Sequence, residues 1–277
     1  MNILGIIKDA FLFPSRNIGR FAIYLLLTVL VVGFVFGGFV TNAFGLFDNE
    51  NFLIGGIYFI IAMLIGFILA GYDIKVIKSG IELDENIPVF ELFEDYMTGF
   101  NNVLVSIVYF IIPALIVLLV GYDTKLFDNI TGVVVEFISQ IVNVYILGGS
   151  TDLAVNALSH AMTELVGSLA VTLTAALVIF AIFAILQAMA EARLANTGSV
   201  REALNILESA KDIKRIGVGK TILVIILVVL IIAIIETILM SVLGKFLFLY
   251  IIFYIIITPY LLLFAQRAIG LLYSDIA

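Results

Sequence analysis

Cysteine is absent from the 277-residue sequence, and histidine occurs only once. The lack of cysteine excludes disulfides, thiolate metal sites and cysteine nucleophiles. Charged residues make up only 13% of the chain, which is well below the roughly 25% of an average soluble domain. The net charge of −7 leaves no basic face of the kind that binds phosphates, so a nucleic-acid partner is not expected.

Apolar residues, in contrast, account for 63% of the chain and give it a mean hydropathy of +1.24. They gather in six runs, each long enough to cross the roughly 30 Å of membrane hydrocarbon as a helix of about 20 residues. A water-soluble fold is therefore excluded. The sequence predicts an all-α, polytopic membrane helical bundle with short interfacial amphipathic helices, which forms a single integral membrane domain over residues 1–277. The six predicted transmembrane helices are Phe21–Ala43, Phe52–Ile74, Val103–Val120, Val166–Ala190, Thr221–Leu243 and Phe246–Phe264.

Basic residues are distributed unevenly among the connections between these spans. Twelve of the fourteen Lys and Arg residues fall in the N-terminal arm, the loops after the second and fourth spans, and the tail, whereas only Lys125 and Lys245 fall on the other side. Basic residues near span ends stay in the cytoplasm. The sequence therefore predicts a multi-pass protein of the cell membrane with both termini in the cytoplasm.

The N-terminal arm, residues 1–20, does not have the pattern of a cleaved signal. Lys8 and Asp9 interrupt its apolar stretch, and no small-residue cleavage site follows. Its apolar residues recur at helical spacing up to Pro14. We therefore expect a short amphipathic helix that lies in the headgroup region.

The two loops on the predicted cytoplasmic side, residues 75–102 and 191–220, have matching patterns. A shift of 118 positions, from Gly80 to Gly198, also places Gly99 on Gly217 and Asp73 on Glu191. In this register the second span matches the fourth and the third matches the fifth. Duplication of a helix, loop and helix explains the match, and chance in a glycine-rich chain is the alternative.

Each of these loops is predicted to carry a short amphipathic helix, begun in the second loop by the capping-box residues Ser199 and Glu202. One interpretation is a pair of elbows that dock a cytoplasmic protein partner. The other is a pair of interfacial helices that only close the floor of the bundle. The charged residues of the candidate docking elbows are Glu91, Glu94, Asp95, Arg201, Lys211, Lys214 and Arg215.

Residues 121–165 form an outer amphipathic helical segment that is too polar for an ordinary span and too apolar for a loose loop. The pattern predicts two helices, Thr131–Leu147 and Asp152–Leu165, which either lie on the outer surface as a lid or dip into the membrane as a re-entrant hairpin beside a wet cavity. A lone histidine does not make a metal site or a triad. The segment also carries an N-glycosylation sequon at Asn129. The candidate outer polar stripe consists of Glu136, Gln140, Asn143, Asn156 and His160.

Glu236 is the one acidic residue well inside a predicted span. A carboxylate there costs several kcal/mol unless it is paired, protonated or hydrated. With Thr237 it forms a candidate intramembrane polar site, and Lys245 is a candidate partner. Either Glu236 faces the bundle interior as an ion- or proton-coupled position, or it lies high enough in the fifth span to reach outer water.

Short motifs along most of the chain resemble a family of archaeal membrane proteins, the domain of unknown function 4013. The resemblance implies a multi-span protein of an archaeal cytoplasmic membrane and brings no substrate, cofactor or catalytic residue. The motifs are Ile7-Lys-Asp-Ala10, Phe13-Pro14, Gly71-Tyr-Asp-Ile-Lys-Val-Ile-Lys78 before Gly80, Ile87-Pro88 and Gly99-Phe100.

Two functions fit these patterns. The favoured one is a transporter-like or permease-like membrane component, and the alternative is a non-transporting scaffold or lipid-organising protein that docks cytoplasmic partners or forms a homo-oligomer. An enzyme is not expected, because the chain has no His-Glu-x-x-His, no Gly-x-Ser-x-Gly, no P-loop and no Rossmann fingerprint. No metal, cofactor or catalytic residue is predicted.

Overall fold

The structure is a computed structural model that describes residues 1–45 and 49–277. All of its regular elements are helical within these ranges, which confirms the predicted all-α fold, and six helices are long and apolar enough to cross a membrane. A 3₁₀ turn at Phe13–Arg16 follows the first α-helix. The α-helices are α1 (Ile3–Leu12), α2 (Ile18–Gly45), α3 (Asn49–Ile81), α4 (Leu92–Asp123), α5 (Leu126–Tyr145), α6 (Thr151–Thr197), α7 (Val200–Ala203), α8 (Ile206–Ile216), α9 (Val218–Leu243) and α10 (Leu247–Tyr273).

The six predicted spans correspond to α2, α3, α4, α6, α9 and α10, but several helices extend well beyond the apolar runs. The short helix predicted in the first loop is not separate, because it forms the first turns of α4. Gly99, the only glycine in these first turns, stays helical. Hydropathy identifies only the apolar centre of such a helix, so the polar turns at its end escape detection.

Helix α6 corrects the prediction for the outer segment. Both the lid and the re-entrant hairpin require the chain to change direction between residues 165 and 166, but α6 is continuous over its 47 residues. Neither glycine nor proline occurs in residues 151–165 to interrupt it. At 1.5 Å per residue the helix is about 70 Å long, more than twice the roughly 30 Å of hydrocarbon. A single crossing therefore leaves part of α6 outside the hydrocarbon.

The chain forms two compact units, of which the second covers residues 108–184. In this unit α5 runs antiparallel to the first half of α6. The hydroxyls of Thr124 and Thr172 are 2.9 Å apart, and the Asn129 amide donates to Ser168 Oγ at 3.1 Å and to the Glu164 carbonyl at 3.3 Å. The sequon asparagine is thus held against α6. No residue of α5 is fully buried.

The first unit, residues 1–107 and 185–277, contains a buried arginine that joins distant segments. Arg267 is 1% exposed, and it donates to Asp9 at 3.1 Å, to Ser79 Oγ at 3.1 Å and to the Asp84 carbonyl at 2.7 Å. Its guanidinium also lies 4.4 Å from the centre of the Phe13 ring. The N-terminal segment, the end of α3 and the tail therefore meet at one end, which we call the basic end.

The chain termini join at the same end. The N-terminal ammonium is 2.9 Å from Asp275 Oδ1, and Lys220 binds both Asp275 and the Met1 carbonyl. Burial raises the pKa of Asp275, but the hydrogen bonds from Lys220 and the N-terminal ammonium outweigh it, so the net effect is a lowered pKa. Ile6 and Ala10 of α1 are fully buried. The predicted interfacial helix is therefore packed against protein along one face.

Candidate functional site

An ion pair links the first loop to the end of α3. Lys75 Nζ is 2.8 Å from Asp95 Oδ1 and 2.6 Å from Glu91 Oε2. Asp95 is fully buried, and its second oxygen accepts the Glu91 backbone N–H at 2.7 Å, so the side chain also caps the start of α4. The hydrogen bond from Lys75 lowers the pKa of Glu91. This contact fixes the N-terminus of α4 beside α3.

A second ion pair links the second loop to the end of α6. Arg193 donates to Asp212 Oδ2 at 2.6 Å, and Arg215 donates to Oδ1 at 2.9 Å. The Tyr273 hydroxyl also donates to Oδ2, at 3.0 Å. Asp212 is 1% exposed, so this buried carboxylate has its charge met by two guanidinium groups and a phenol.

These two ion pairs occupy matching places in the chain. The shift of 118 positions places Lys75 on Arg193, and a shift of 117 positions places Asp95 on Asp212. In each half, a cation near the end of a long helix binds a buried carboxylate farther along the chain, in α4 directly after α3 and in α8, the second helix after α6. Sequence reasoning missed this contact because it treated the loop charges as exposed. The shift of 118 positions, applied to Lys75, leads to Arg193, and this match was the signal in the sequence that pointed to the second ion pair.

Two further carboxylates, Asp73 and Glu191, each lie two residues before one of these cations in the long helices α3 and α6. The Tyr24 hydroxyl donates to Asp73 Oδ1 at 2.9 Å, and the Gln187 amide donates to Glu191 Oε1 at 2.9 Å and to Ser106 Oγ at 3.2 Å. Both carboxylates are half-buried. Helix α4 joins the two, because its Asn102 donates to the Ala70 carbonyl, one turn before Asp73, and its Ser106 accepts from Gln187, one turn before Glu191. Two negative groups therefore share one region inside a bundle of apolar helices.

Asn102 of α4 lies in the same region. It is 8% exposed, its amide donates to the Ala70 carbonyl of α3 at 3.4 Å, and its Oδ1 has no hydrogen-bond partner in the described part of the chain. Helices α4 and α6 meet at Ser106 and Gln187. Asn102 lies one helical turn from Ser106, and Glu191 lies one helical turn from Gln187, so we place Asn102 and Glu191 at the same level of the bundle. We call Asp73, Glu191 and Asn102 the carboxylate cluster.

Aromatic rings cover this cluster on the side of the first loop. Tyr24 and Tyr72 are both fully buried, with ring centres 5.6 Å apart. Tyr72 stacks on Phe90 at 3.8 Å and donates to the Pro88 carbonyl at 3.0 Å. These contacts hold the first loop against Tyr72, the neighbour of Asp73 in α3.

The predicted intramembrane polar site, Glu236 with Thr237, lies in α9. Glu236 is half-buried in α9 and Thr237 is exposed. In the ranges that the structure covers, neither side chain makes a hydrogen bond or an ion pair, and no ion pair joins Lys245 to Glu236. The structure does not bring these three residues together. A role for Glu236 stays a prediction.

The outer polar stripe is divided between two helices. On α5, the Gln140 amide donates to Glu136 Oε1 at 2.6 Å, and Asn143 is half-buried near the turn at Gly149. On α6, Asn156 and His160 are exposed, and His160 Nδ1 lies 3.7 Å from Glu164. The stripe is thus a set of local helix contacts together with exposed side chains.

Most residues of the candidate docking elbows are exposed, with one correction. Asp95 is fully buried and bound to Lys75, so it is not available to a docking partner. Arg215 is exposed but already binds Asp212, and Lys211 binds Glu208 at 2.6 Å. Glu91 is likewise exposed but binds Lys75 at 2.6 Å, so the remaining exposed residues of the set are Glu94, Arg201 and Lys214.

Comparison with known proteins gives a family but no activity. A family model described as "Protein of unknown function (DUF4013)" matches residues 54–244. No curated protein and no solved structure matches the chain. The matched region includes both ion pairs and the whole carboxylate cluster.

Proposed function

Because this chain belongs to the DUF4013 family, whose description assigns no activity, we propose from the carboxylate cluster that it is a transporter-like, permease-like membrane protein. The observation that carries the proposal is the pair Asp73 and Glu191. Each lies in a long apolar helix, and neither forms an ion pair among the described residues. Polar groups in such positions are costly, and they commonly mark substrate or ion pathways.

The arrangement around the pair supports the same function. Asp73 and Glu191 come from matching positions of the two halves, and Asn102 of α4 donates to the Ala70 carbonyl, one turn before Asp73 on α3. Secondary transporters often place their binding sites where internal repeats meet. We further propose that the basic end faces the cytoplasm of the cell. Twelve of the fourteen Lys and Arg residues lie in the N-terminal arm, the loops after the second and fourth spans, and the tail, and the second of these loops also reaches the basic end through Lys220 and through the bond of Asp212 with Tyr273.

Water access to the cluster tests this function. The chain lacks cysteine, so single-cysteine variants require no background removal. Ser106→Cys replaces a side chain that contacts Gln187. Ile107→Cys, on the same helix, replaces a side chain that is 46% exposed and faces lipid in a bundle of this kind. Both variants are treated with a membrane-impermeant thiol reagent in sealed vesicles of each orientation.

A path across the membrane predicts that S106C is labelled from the face opposite the basic end, and that I107C is not labelled from either face. If S106C is labelled only from the basic end, or not at all, the transport function is wrong. Labelling of both variants at the same rate would also contradict it, since it would indicate general exposure of α4.

A second candidate function is the non-transporting scaffold, and α5 favours it. This helix has no buried residue, and several of its large apolar side chains are more than half exposed, as in Val135 at 59% and Ile138 at 57%. Large exposed apolar surfaces often mark interaction sites. A scaffold or a homo-oligomer predicts stable association of protein or lipid in mild detergent. Recovery of a lone, lipid-free monomer contradicts it.

A further inference from the structure

We propose that the carboxylate cluster, Asp73, Glu191 and Asn102, is a binding site for a small monovalent metal cation of the Na⁺ class. This inference deepens the proposed transport function, on which it rests, by naming the ion that occupies its site. Two carboxylates inside an apolar bundle have to be paired with a cation, protonated or hydrated. The question is which positive charge is available to them.

The basic side chains nearest to the cluster along the chain already form ion pairs with other carboxylates. Lys75 is two residues from Asp73 and Arg193 is two residues from Glu191, so these are the cations closest along the chain. Lys75 binds Asp95 and Glu91, and Arg193 binds Asp212. Because Asp95 and Asp212 are themselves buried, withdrawing either cation would leave another carboxylate unpaired. The charge of the cluster is therefore left for a bound ion.

The donor atoms of the cluster suit a hard cation. One oxygen of each carboxylate is held by a neutral donor, Tyr24 for Asp73 and Gln187 for Glu191, and no described side chain donates to the other oxygen. Carboxylate and amide oxygens are the ligands preferred by hard metal ions. Neutral donors orient a carboxylate without cancelling its charge, so both groups stay able to bind a cation.

Asn102 supplies an independent indication. Its side chain is more than nine-tenths buried, and its Oδ1 has no partner among the described residues. Buried side-chain oxygens are normally satisfied. Its amide nitrogen is directed to Ala70 of α3, and its level on α4 is that of Glu191. A cation between α3 and α6 gives this orphaned oxygen a partner.

The number of ligands favours a monovalent ion. Ca²⁺ takes about six to eight oxygen ligands with several carboxylates. The described residues contain no group of three or more His, Asp or Glu side chains arranged for a metal. Two carboxylates and one amide are a sparse set for a divalent ion. A monovalent ion balances one of the two negative charges and a proton balances the other, since two carboxylates that share a site do not both stay ionised.

The test is the thermal stability of the full-length protein, purified in mild detergent, across a series in which NaCl replaces choline chloride at constant ionic strength. A ligand that binds only the folded state raises the Tm as its concentration rises. We expect the wild-type Tm to rise along the series. In Asp73→Asn and Glu191→Gln, the apparent affinity for Na⁺ should fall about tenfold or more, as for the loss of a charged contact. Asn102→Leu should give a smaller loss.

Glu164→Gln is the matched control, because Glu164 is an exposed carboxylate of the same helix as Glu191. Its sodium response should equal that of the wild type. A wild-type Tm that does not change between choline and sodium overturns the site, whether or not the variants fold. A response to CaCl₂ without one to NaCl overturns its monovalent character. Equal losses in E164Q and D73N overturn the assignment to these residues.

The two proposals can fail separately. A sodium-dependent Tm without labelling of S106C from the far face means that the cation site exists and transport does not. Labelling of S106C without any sodium response means that a water path exists and the cation site does not.

Discussion

Gly99 and Gly217 occupy matching positions in the two halves of the chain but have opposite effects on the backbone. Gly99 stays helical, so α4 runs through it from the first loop into the span. Gly217 has φ +106°, a conformation that favours glycine, and it separates α8 from α9. A repeated residue in a sequence therefore does not imply a repeated conformation.

The reason for Gly99 is contact rather than flexibility. A Cβ at this position would lie 1.7 Å from the Phe67 carbonyl oxygen and 2.7 Å from the Gly71 nitrogen. The backbones of α3 and α4 thus touch, as small residues allow in membrane helices. The first half joins its helices by backbone packing. The second half relies on the side chains around Asp212, where Arg193, Arg215 and Tyr273 converge.

The largest expected effect is that of Gly99→Ala, which breaks the backbone contact of the first half. The methyl group forces α3 and α4 apart, so we expect a loss of about 3 kcal/mol, at the upper end of the range for overpacking. Thermal unfolding in mild detergent measures it. Gly66→Ala is the matched control, because a Cβ at Gly66 meets nothing within 4 Å.

Gly217→Ala sharpens the comparison, because it introduces backbone strain in the second half and no clash with a neighbouring side chain or backbone. The cost of a left-handed conformation for alanine is about 1–2 kcal/mol. If G99A is no less stable than G66A, the backbone contact is not what joins the first half.

The next effect compares the two buried carboxylates. Asp212→Asn leaves Arg193 beside a neutral amide in a site that is almost closed to water, and breaking a buried pair costs about 3 kcal/mol or slightly more. Asp95→Asn should cost less, because Lys75 keeps its contact with Glu91 at 2.6 Å. Unfolding of both variants in the same detergent measures the difference. A larger loss for D95N than for D212N contradicts the interpretation that the second half depends more on its ion pair.

The smallest effect concerns Asp275, which lies outside both ion pairs. Its pKa is lowered in the folded protein, so its contribution to stability is complete above its unfolded pKa of about 3.9 and is lost as the pH falls through the folded value. We expect Asp275→Asn to be less stable than the wild type at neutral pH, and the Tm difference to vanish in strong acid. A difference that is unchanged in acid shows that the carboxylate charge is not involved.

The apolar runs predicted the number of long helices and the segments that meet at the basic end, because hydropathy and charge are local properties of the sequence. Contacts between distant residues escaped the same reasoning. Arg267 was only one more basic residue of the tail, and its burial depends on Asp9, Ser79 and the Asp84 carbonyl together. The first half of α6 was misjudged because its amphipathic pattern also suits a surface helix.

The carboxylate cluster was only half visible in the sequence. The shift of 118 positions pairs Asp73 with Glu191, but the predicted spans end near both residues, so neither was taken for an intramembrane group. Asn102 gave no local signal, since its burial follows from the packing of α4 against α3. Glu236, in contrast, was easy to identify from the sequence, because it lies inside an apolar run and this local pattern does not depend on its contacts.

The bond between Asp9 and Arg267 spans 258 positions of the chain. During synthesis the N-terminal helix is made first, and its buried arginine partner is made only with the last helix. A chain emerging from the N-terminus therefore cannot close the basic end around Asp9 until α10 has been completed. Helix α1 is translated before α10, but it reaches its final place only after α10 has been made.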